Sequence, residues 1–314
     1  MCIRDSLEGD TEKALIPIEN TKENPIFHLI PHNLDIDFLR RGEREEVDED
    51  ENVKLIREVF ASWVGESYWK VLAELIGYTL YPRYDFNKAF MLVGSGSNGK
   101  STFLTLIEKI LGEENVVNIP LQELCNYRFA MAELYHKLAN IFADLPKKPI
   151  GYTGLFKVLT GQDRISAPRK FKDPVTFTNY AKAIFSANEL PSVKDMTDAY
   201  WRRWIVLEFP NKFEDDPSFL ERTFTEKVIE KVIVLGLLAF RDVYRKRKFS
   251  IEGTEADFKE KWLRSANSIY AYIRSGEETG RLILDKDAYT STSLLFEDYV
   301  EWCEQEDREL SLIH

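Results

Sequence analysis

A chain of 314 residues with 44% hydrophobic content is long enough to bury a sizeable core and to carry one large domain with smaller appendages. Its formal net charge of −11 excludes a surface that coats nucleic acid by bulk positive charge, so any contact with DNA must be confined to a groove or channel. Three cysteines, Cys2, Cys125 and Cys303, and four scattered histidines have no metal-ligand spacing, which argues against a structural metal site and suits reduced thiols in a cytoplasmic compartment.

Residues 1–52 mix turn formers with an acidic run from Glu43 to Glu51 and read as an extended lead-in. The first residues lack the apolar segment of a secretory leader, and both termini are abrupt, as expected of a piece of a longer polypeptide. A helical segment over 53–86 follows. Leu55, Ile56, Val59 and Phe60, then Trp69, Leu72, Leu75 and Ile76, fall at helical spacing and predict helices over 53–64 and 67–80, the second closed by Pro82.

From Lys88 the pattern changes to short apolar strands over 89–93, 116–119, 138–143, 181–187 and 204–209, alternating with helical stretches. That alternation predicts an α/β core over 87–212 with a mainly parallel, helix-flanked sheet. Between Asp163 and Asn179 the polar, Pro-punctuated sequence predicts a hairpin with a basic centre. Beyond Pro210, helices are predicted over 219–244 and 255–272 within a helical part spanning 213–276. A last amphipathic helix, with Leu295, Tyr299 and Trp302 on one side, marks a small helical or winged-helix module over 277–314. The longest apolar stretch, Val232 to Phe240 with Gly236 inside it, is far short of the ~18 residues a membrane-spanning helix needs, so a soluble protein with no membrane partner is expected.

The densest chemical signal is Gly94-Ser95-Gly96-Ser97-Asn98-Gly99-Lys100-Ser101-Thr102, which fits G-x-x-x-x-G-K-[ST] between the first predicted strand and a helix carrying Phe103, Leu106, Ile107, Ile110 and Leu111 on one face. Glycines let successive N–H groups converge on an anion, the helix N-terminus adds its dipole, and Lys100 adds a full positive charge. Ser101 is placed to hold Mg²⁺. The strand in Lys137-Leu-Ala-Asn-Ile-Phe-Ala-Asp144 ends in a carboxylate, either the metal-side acid of a nucleotide site or a cap on the next turn. Lys182-Ala-Ile-Phe-Ser-Ala-Asn188 ends in an amide that could bond both a phosphate and a water, or simply turn the chain before Pro191. Arg202 and Arg203 precede the last strand, where an arginine can project across a subunit boundary to a phosphoryl group.

The order of these motifs resembles the superfamily 3 helicases, and within them the helicase portion of phage and plasmid primase-helicases, related to poxvirus-type primase-helicases. The match rests on segments 94–102, 137–146, 156–163, 169–172, 183–191 and 202–210; it is firm over 53–210 and looser over 294–303. It implies an AAA+-like P-loop NTPase core that takes ATP and Mg²⁺, forms a homo-oligomeric ring, commonly a hexamer, and unwinds forked DNA by moving on a single strand. It also implies a primase domain or primase partner.

On this resemblance Lys100, Ser101 and Asp144 serve the phosphates and metal, and Asn188 is the sensor. Arg203 is the finger reaching a neighbour's ATP, with Arg202 the second choice. Lys170 and Phe171, flanked by Arg169 and Lys172, form the tip of a hairpin that grips the DNA backbone. The chain departs from the pattern at Leu145, where a second acid often follows the first. Two other readings stay open on the same residues: an ATP-held replication scaffold or loader with little unwinding, and a small-molecule phosphotransferase.

Overall fold

The computed structural model of the chain describes residues 28–32, 34, 47, 49–306, 308 and 310. The expected lead-in over 1–52 lies outside them apart from 28–32, 34, 47 and 49–52. Helix α1 (Glu51–Val64) begins where Asp50 caps it, its carboxylate accepting from the backbone N–H groups of Asn52 (2.8 Å) and Val53 (3.3 Å). The cap therefore sets the start two residues ahead of the apolar pattern. Helix α2 (Trp69–Thr79) follows after Gly65.

The core then unfolds in chain order. Strand β1 (Ala89–Val93) leads through 94–99 into α3 (Lys100–Leu111), a 3₁₀ turn (Glu113–Asn115), β2 (Val116–Val117), α4 (Leu121–Asn126), α5 (Arg128–Glu133), β3 (Ala139–Phe142) and α6 (Gly154–Leu159). The hairpin strands β4 (Arg164–Arg169) and β5 (Lys172–Thr178) come next, then β6 (Lys182–Ala187), α7 (Asp198–Trp201) and β7 (Trp204–Glu208). Five of these strands form one parallel sheet in the order β2-β3-β6-β1-β7. Strand β6 is buried at every position, as expected of a parallel strand covered on both faces.

Register aligns the ends of the strands. Val93 lies beside Ala187 on one side and Glu208 on the other, while Phe142 lies beside Phe185. Everything that follows a strand, namely the 94–99 loop, Asp144 and Asn188, is thereby delivered to one edge of the sheet, the edge at which ligands bind in open α/β sheets.

The helical remainder comprises α8 (Phe219–Thr223), α9 (Glu226–Lys246), α10 (Glu255–Ala266), α11 (Ser268–Thr279) and α12 (Thr292–Gln305). Two predicted helices are each divided by a polar residue inside the apolar pattern. Thr225 takes an extended backbone ahead of α9, and Asn267 caps α11 by accepting from the Tyr270 N–H at 3.1 Å. Ala271 and Tyr272 of α11 form a small core with Tyr299, Trp302 and Cys303 of α12, separate from the main one. Among the described residues, every regular element beyond Glu208 is a helix, and no helix is long and apolar enough to cross a membrane.

Helix α9 crosses α2 so closely that a Cβ on Gly77 would fall 2.1 Å from the Gly236 carbonyl oxygen and 2.5 Å from Cβ of Phe240. Gly236, an interruption of the apolar run in the linear sequence, is what permits the crossing. Gly77→Ala is expected to cost about 1–3 kcal/mol or more, the usual range for overpacking, seen as a lower urea midpoint. Gly151→Ala, whose Cβ meets nothing within 4 Å, is the control, and equal midpoints for the two variants would contradict the contact.

Candidate functional site

The loop after β1 is held open by left-handed backbone. Gly96 (φ +105°), Ser97 (φ +50°) and Gly99 (φ +86°) all lie in the region that favours glycine, and only the last is also hemmed in by neighbours. A Cβ on Gly99 would approach the Trp63 ring to 2.5 Å. No side chain caps the start of α3, so its first backbone N–H groups are available to an anion.

Lys100 is 6% exposed and spends all three ammonium donors at the loop: on the Gly94 carbonyl (2.6 Å), Oδ1 of Asn98 (3.3 Å) and Oδ1 of Asn188 (3.2 Å). Burial pushes its pKa down, and the negative charge of Asp144 opposes that shift. Asn98 is itself fixed, its amide donating to the Asn211 carbonyl at 2.7 Å. Asp144 leaves β3 in a left-handed turn (φ +58°), tolerated by a short polar side chain, and is exposed beside this cluster. Lys100, Asp144 and Asn188, read separately along the sequence, are thus brought together. Ser101 is exposed on the first turn of α3. Hydroxyl and carboxylate oxygens of this kind suit a hard divalent cation that keeps most of its shell as water or phosphate oxygen. Leu145, next to Asp144, is buried.

A cleft of about 350 Å³ opens beside the loop, lined by Val59, Ser62, Trp63, Thr102, Phe213 and Phe219, with Glu58, Glu214, Asp215 and Asp216 also on its walls. None of these residues except Thr102 was a site candidate in the sequence. Thr102 apart, they come from α1 and from the chain that runs from β7 to the first residue of α8, and no short-range pattern links those segments. A flat, partly apolar group next to the phosphate-type loop would fit this space.

The other candidates lie elsewhere. Strands β4 and β5 pair as an antiparallel hairpin with Arg169 opposite Lys172, so Lys170 and Phe171 form its tip, and Phe171 is fully exposed with φ +57°. Ile165, Ala167 and Val175 face inward, which leaves the basic tip standing off a buried base. Arg202 and Arg203 precede β7, whose first residue pairs with the first residue of β1. They sit at the opposite end of the sheet from the 94–99 loop, about 13 Å of strand away.

Arg202 is exposed, but Arg203 is 7% exposed and turned inward. Its Nε donates to Oγ1 of Thr160 (2.8 Å), one terminal nitrogen to the Lys157 carbonyl (3.2 Å), and the other to the Ala199 carbonyl. Arg203, the expected projecting arginine, is thus turned inward in this chain, and of the pair Arg202 is the one at the surface.

Near this end, Asp195 accepts from Nζ of Lys157 (2.7 Å), from the Thr153 hydroxyl, and from the N–H (2.9 Å) and hydroxyl (2.6 Å) of Thr197. Burial alone would raise the pKa of this carboxyl, but those donors outweigh it and hold it below the usual range. Among the described residues, no group of three or more His, Cys, Asp or Glu side chains is placed to hold a metal ion.

A glycine loop between a central parallel strand and a helix, with a buried loop lysine and a strand-end carboxylate beside it, defines a core of the P-loop NTPase type. Residues 92–203 match a family model described as "Family of unknown function (DUF5906)". The chain is 33% identical over 130 residues to "Putative helicase L207/L206" of Acanthamoeba polyphaga mimivirus, and 29% identical over 136 residues to "Putative helicase 121R" of Invertebrate iridescent virus 3. Each match takes in 40% of this chain and only 14% of the viral protein. In fold the chain is similar to the apo structure of the NrS-1 C terminal region (305-718), with a TM-score of 0.50 at 16% identity, over 81% of this chain and 59% of that one.

The Asp195 network gives a pH-dependent prediction. Because the folded carboxyl has a depressed pKa, its contribution is fully present above the unfolded value of about 3.9 and is lost as pH falls through the folded value. Asp195→Asn is expected to cost about 1–3 kcal/mol at neutral pH, from loss of the charge-assisted bonds to Lys157 and Thr153. In denaturant titrations that deficit should stay constant from about pH 7 to 5 and shrink below about pH 4. A pH-independent deficit would show that the charge plays no part.

Proposed function

We propose that this chain is the motor of an ATP-dependent DNA helicase of the superfamily 3 kind, an AAA+-like ring subunit, working in replication of a virus, phage or plasmid. The convergence of Lys100, Asp144 and Asn188 on the glycine loop carries the reading, and the names of the viral relatives support it.

In this reading the triphosphate of ATP lies along the 94–99 loop and the N-terminus of α3, and its base enters the cleft beside Trp63. Lys100 gives up its loop acceptors for the β- and γ-phosphate oxygens, a trade of neutral acceptors for charged ones. Ser101 and Asp144 would hold Mg²⁺, which supplies charge neutralisation between the β- and γ-phosphates. Asn188, already 3.2 Å from the lysine, accepts from the attacking water through Oδ1 and donates to the γ-phosphate through its amide.

Arg202 cannot serve its own loop from the far end of the sheet, so its phosphate is a neighbour's, and the site is complete only in an oligomer. The pore is then formed by hairpin tips: Lys170 pairs with DNA phosphate and Phe171 stacks on sugar or base, which gives a cationic lining inside an acidic particle. A second reading, a nucleotide-held ring with little unwinding, draws on one observation, the buried leucine at position 145.

Lys100→Ala is expected to reduce ATP turnover at least about 10²-fold, as loss of a phosphate-stabilising group does elsewhere, and an undiminished rate would sink the nucleotide assignment. Strand displacement on a forked substrate separates motor from scaffold. Lys170→Ala should weaken single-stranded DNA binding and lower its salt slope by about one unit, with loss of displacement. Unchanged displacement would reject the hairpin as the DNA grip.

A further inference from the structure

The inward turn of Arg203 sets it apart from its neighbour. Its three acceptors are the Thr160 hydroxyl, the Lys157 carbonyl and the Ala199 carbonyl, so it joins the end of α6 to α7. Thr160 is fully buried and passes the contact on by donating to the Phe156 carbonyl at 2.8 Å.

Helix α6 is the root of the hairpin. Only Gly161, Gln162 and Asp163 separate Thr160 from Arg164, the first residue of β4, and Gln162 turns the chain with φ +64°. The other hairpin strand returns to the same place, because the Asn179 amide donates to the Leu159 carbonyl at 3.1 Å. The N-terminal end of α6 is held from the same side: Asp195 takes the Thr153 hydroxyl and the Lys157 ammonium. Between the two ends, the Phe156 ring stacks on Trp204 with centroids 4.9 Å apart and planes 10° from parallel. Segments 153–160 and 195–204 are therefore joined at both ends and in the middle.

We propose that Arg203 is a positioning residue that locks the root of the DNA hairpin to the segment carrying Arg202, so that hairpin and Arg202 move as one body. The proposal rests on the motor reading given above. When the phosphate facing Arg202 in the neighbouring subunit is cleaved and released, the displacement of residue 202 passes through Arg203 and Thr160 into α6 and out to Lys170. The side chain is suited to this. A guanidinium offers five donors in a rigid plane, the carbonyl end of a helix attracts a cation, and Asp163 offsets the buried charge.

The test uses the full chain with Thr160→Val, Arg203→Gln and Arg203→Lys, and measures base pairs displaced per ATP hydrolysed on a forked substrate. Thr160→Val and Arg203→Gln should lower that ratio by about 2- to 30-fold, the range seen for mutations along coupled networks, with Arg203→Lys in between. A general folding defect lowers displacement and hydrolysis together and leaves the ratio unchanged; an unchanged ratio in folded Thr160→Val overturns the proposal. So does loss of hydrolysis by wild-type subunits when Arg203→Gln subunits are mixed in, because that is the behaviour of a residue touching a neighbour's phosphate.

If the wild-type protein displaces no strand, the motor reading has failed, and the anchor is then judged by hydrogen exchange. Hairpin amides over 164–178 should exchange faster in Thr160→Val and Arg203→Gln than in wild type, and equal protection overturns the proposal.

Discussion

The parallel register of β1 with β6 and β7 is the constraint on which the rest of the molecule depends. A parallel sheet sends every strand out at the same edge, and here that edge receives the glycine loop, Asp144 and Asn188 from three different stretches of sequence. The same register sends Arg202 and Arg203, which precede a strand, to the opposite edge. One structural rule thus separates the residues gathered at the glycine loop from those held at the far edge of the sheet.

The chain carries a net charge of −11, yet among the described residues three cations, Lys100, Lys182 and Arg203, are buried and each is satisfied by neutral oxygen. Lys100 bonds a carbonyl and two amides. Arg203 bonds two carbonyls and a hydroxyl. Lys182, fully buried at the start of β6, donates to the Tyr81 and Tyr180 carbonyls, both at 2.6 Å, beneath the rings of Tyr78 and Tyr84. Burial pushes the pKa of Lys182 well down, with Asp85 opposing, and the two carbonyls and two ring faces compensate the ammonium. These contacts tie the end of α2 to the base of the hairpin and the hairpin root to the arginine pair. The polar interior therefore adds directional links between layers that the apolar core also packs together.

Local elements were legible wherever their cause was local. The hairpin read over 163–179 from its polar, Pro-punctuated sequence is found over 164–178, where Ile165, Ala167 and Val175 turn inward and the basic tip stays out. The helix read over 219–244 is two helices, since Thr225 sits in an apolar run whose spacing does not announce a break. Lys100, Asp144 and Asn188 were each readable as a strand-end or loop residue of a particular chemical type. The cleft walls Trp63, Phe213 and Phe219 were not, because core aromatics and cleft aromatics have the same spacing.

Residue order alone determined the glycine loop, the lysine in it, the strand-end acid and amide, the basic hairpin tip and the alternation that demands a parallel sheet. Each depends on backbone freedom, charge or periodicity within a few residues. Only the folded chain decided which of two adjacent arginines faces outward, that Gly236 admits a helix crossing rather than interrupting a helix, and that Trp63 closes over Gly99. Those outcomes depend on what packs against a residue from 36 to 159 positions away, and identical neighbours in sequence give no sign of it.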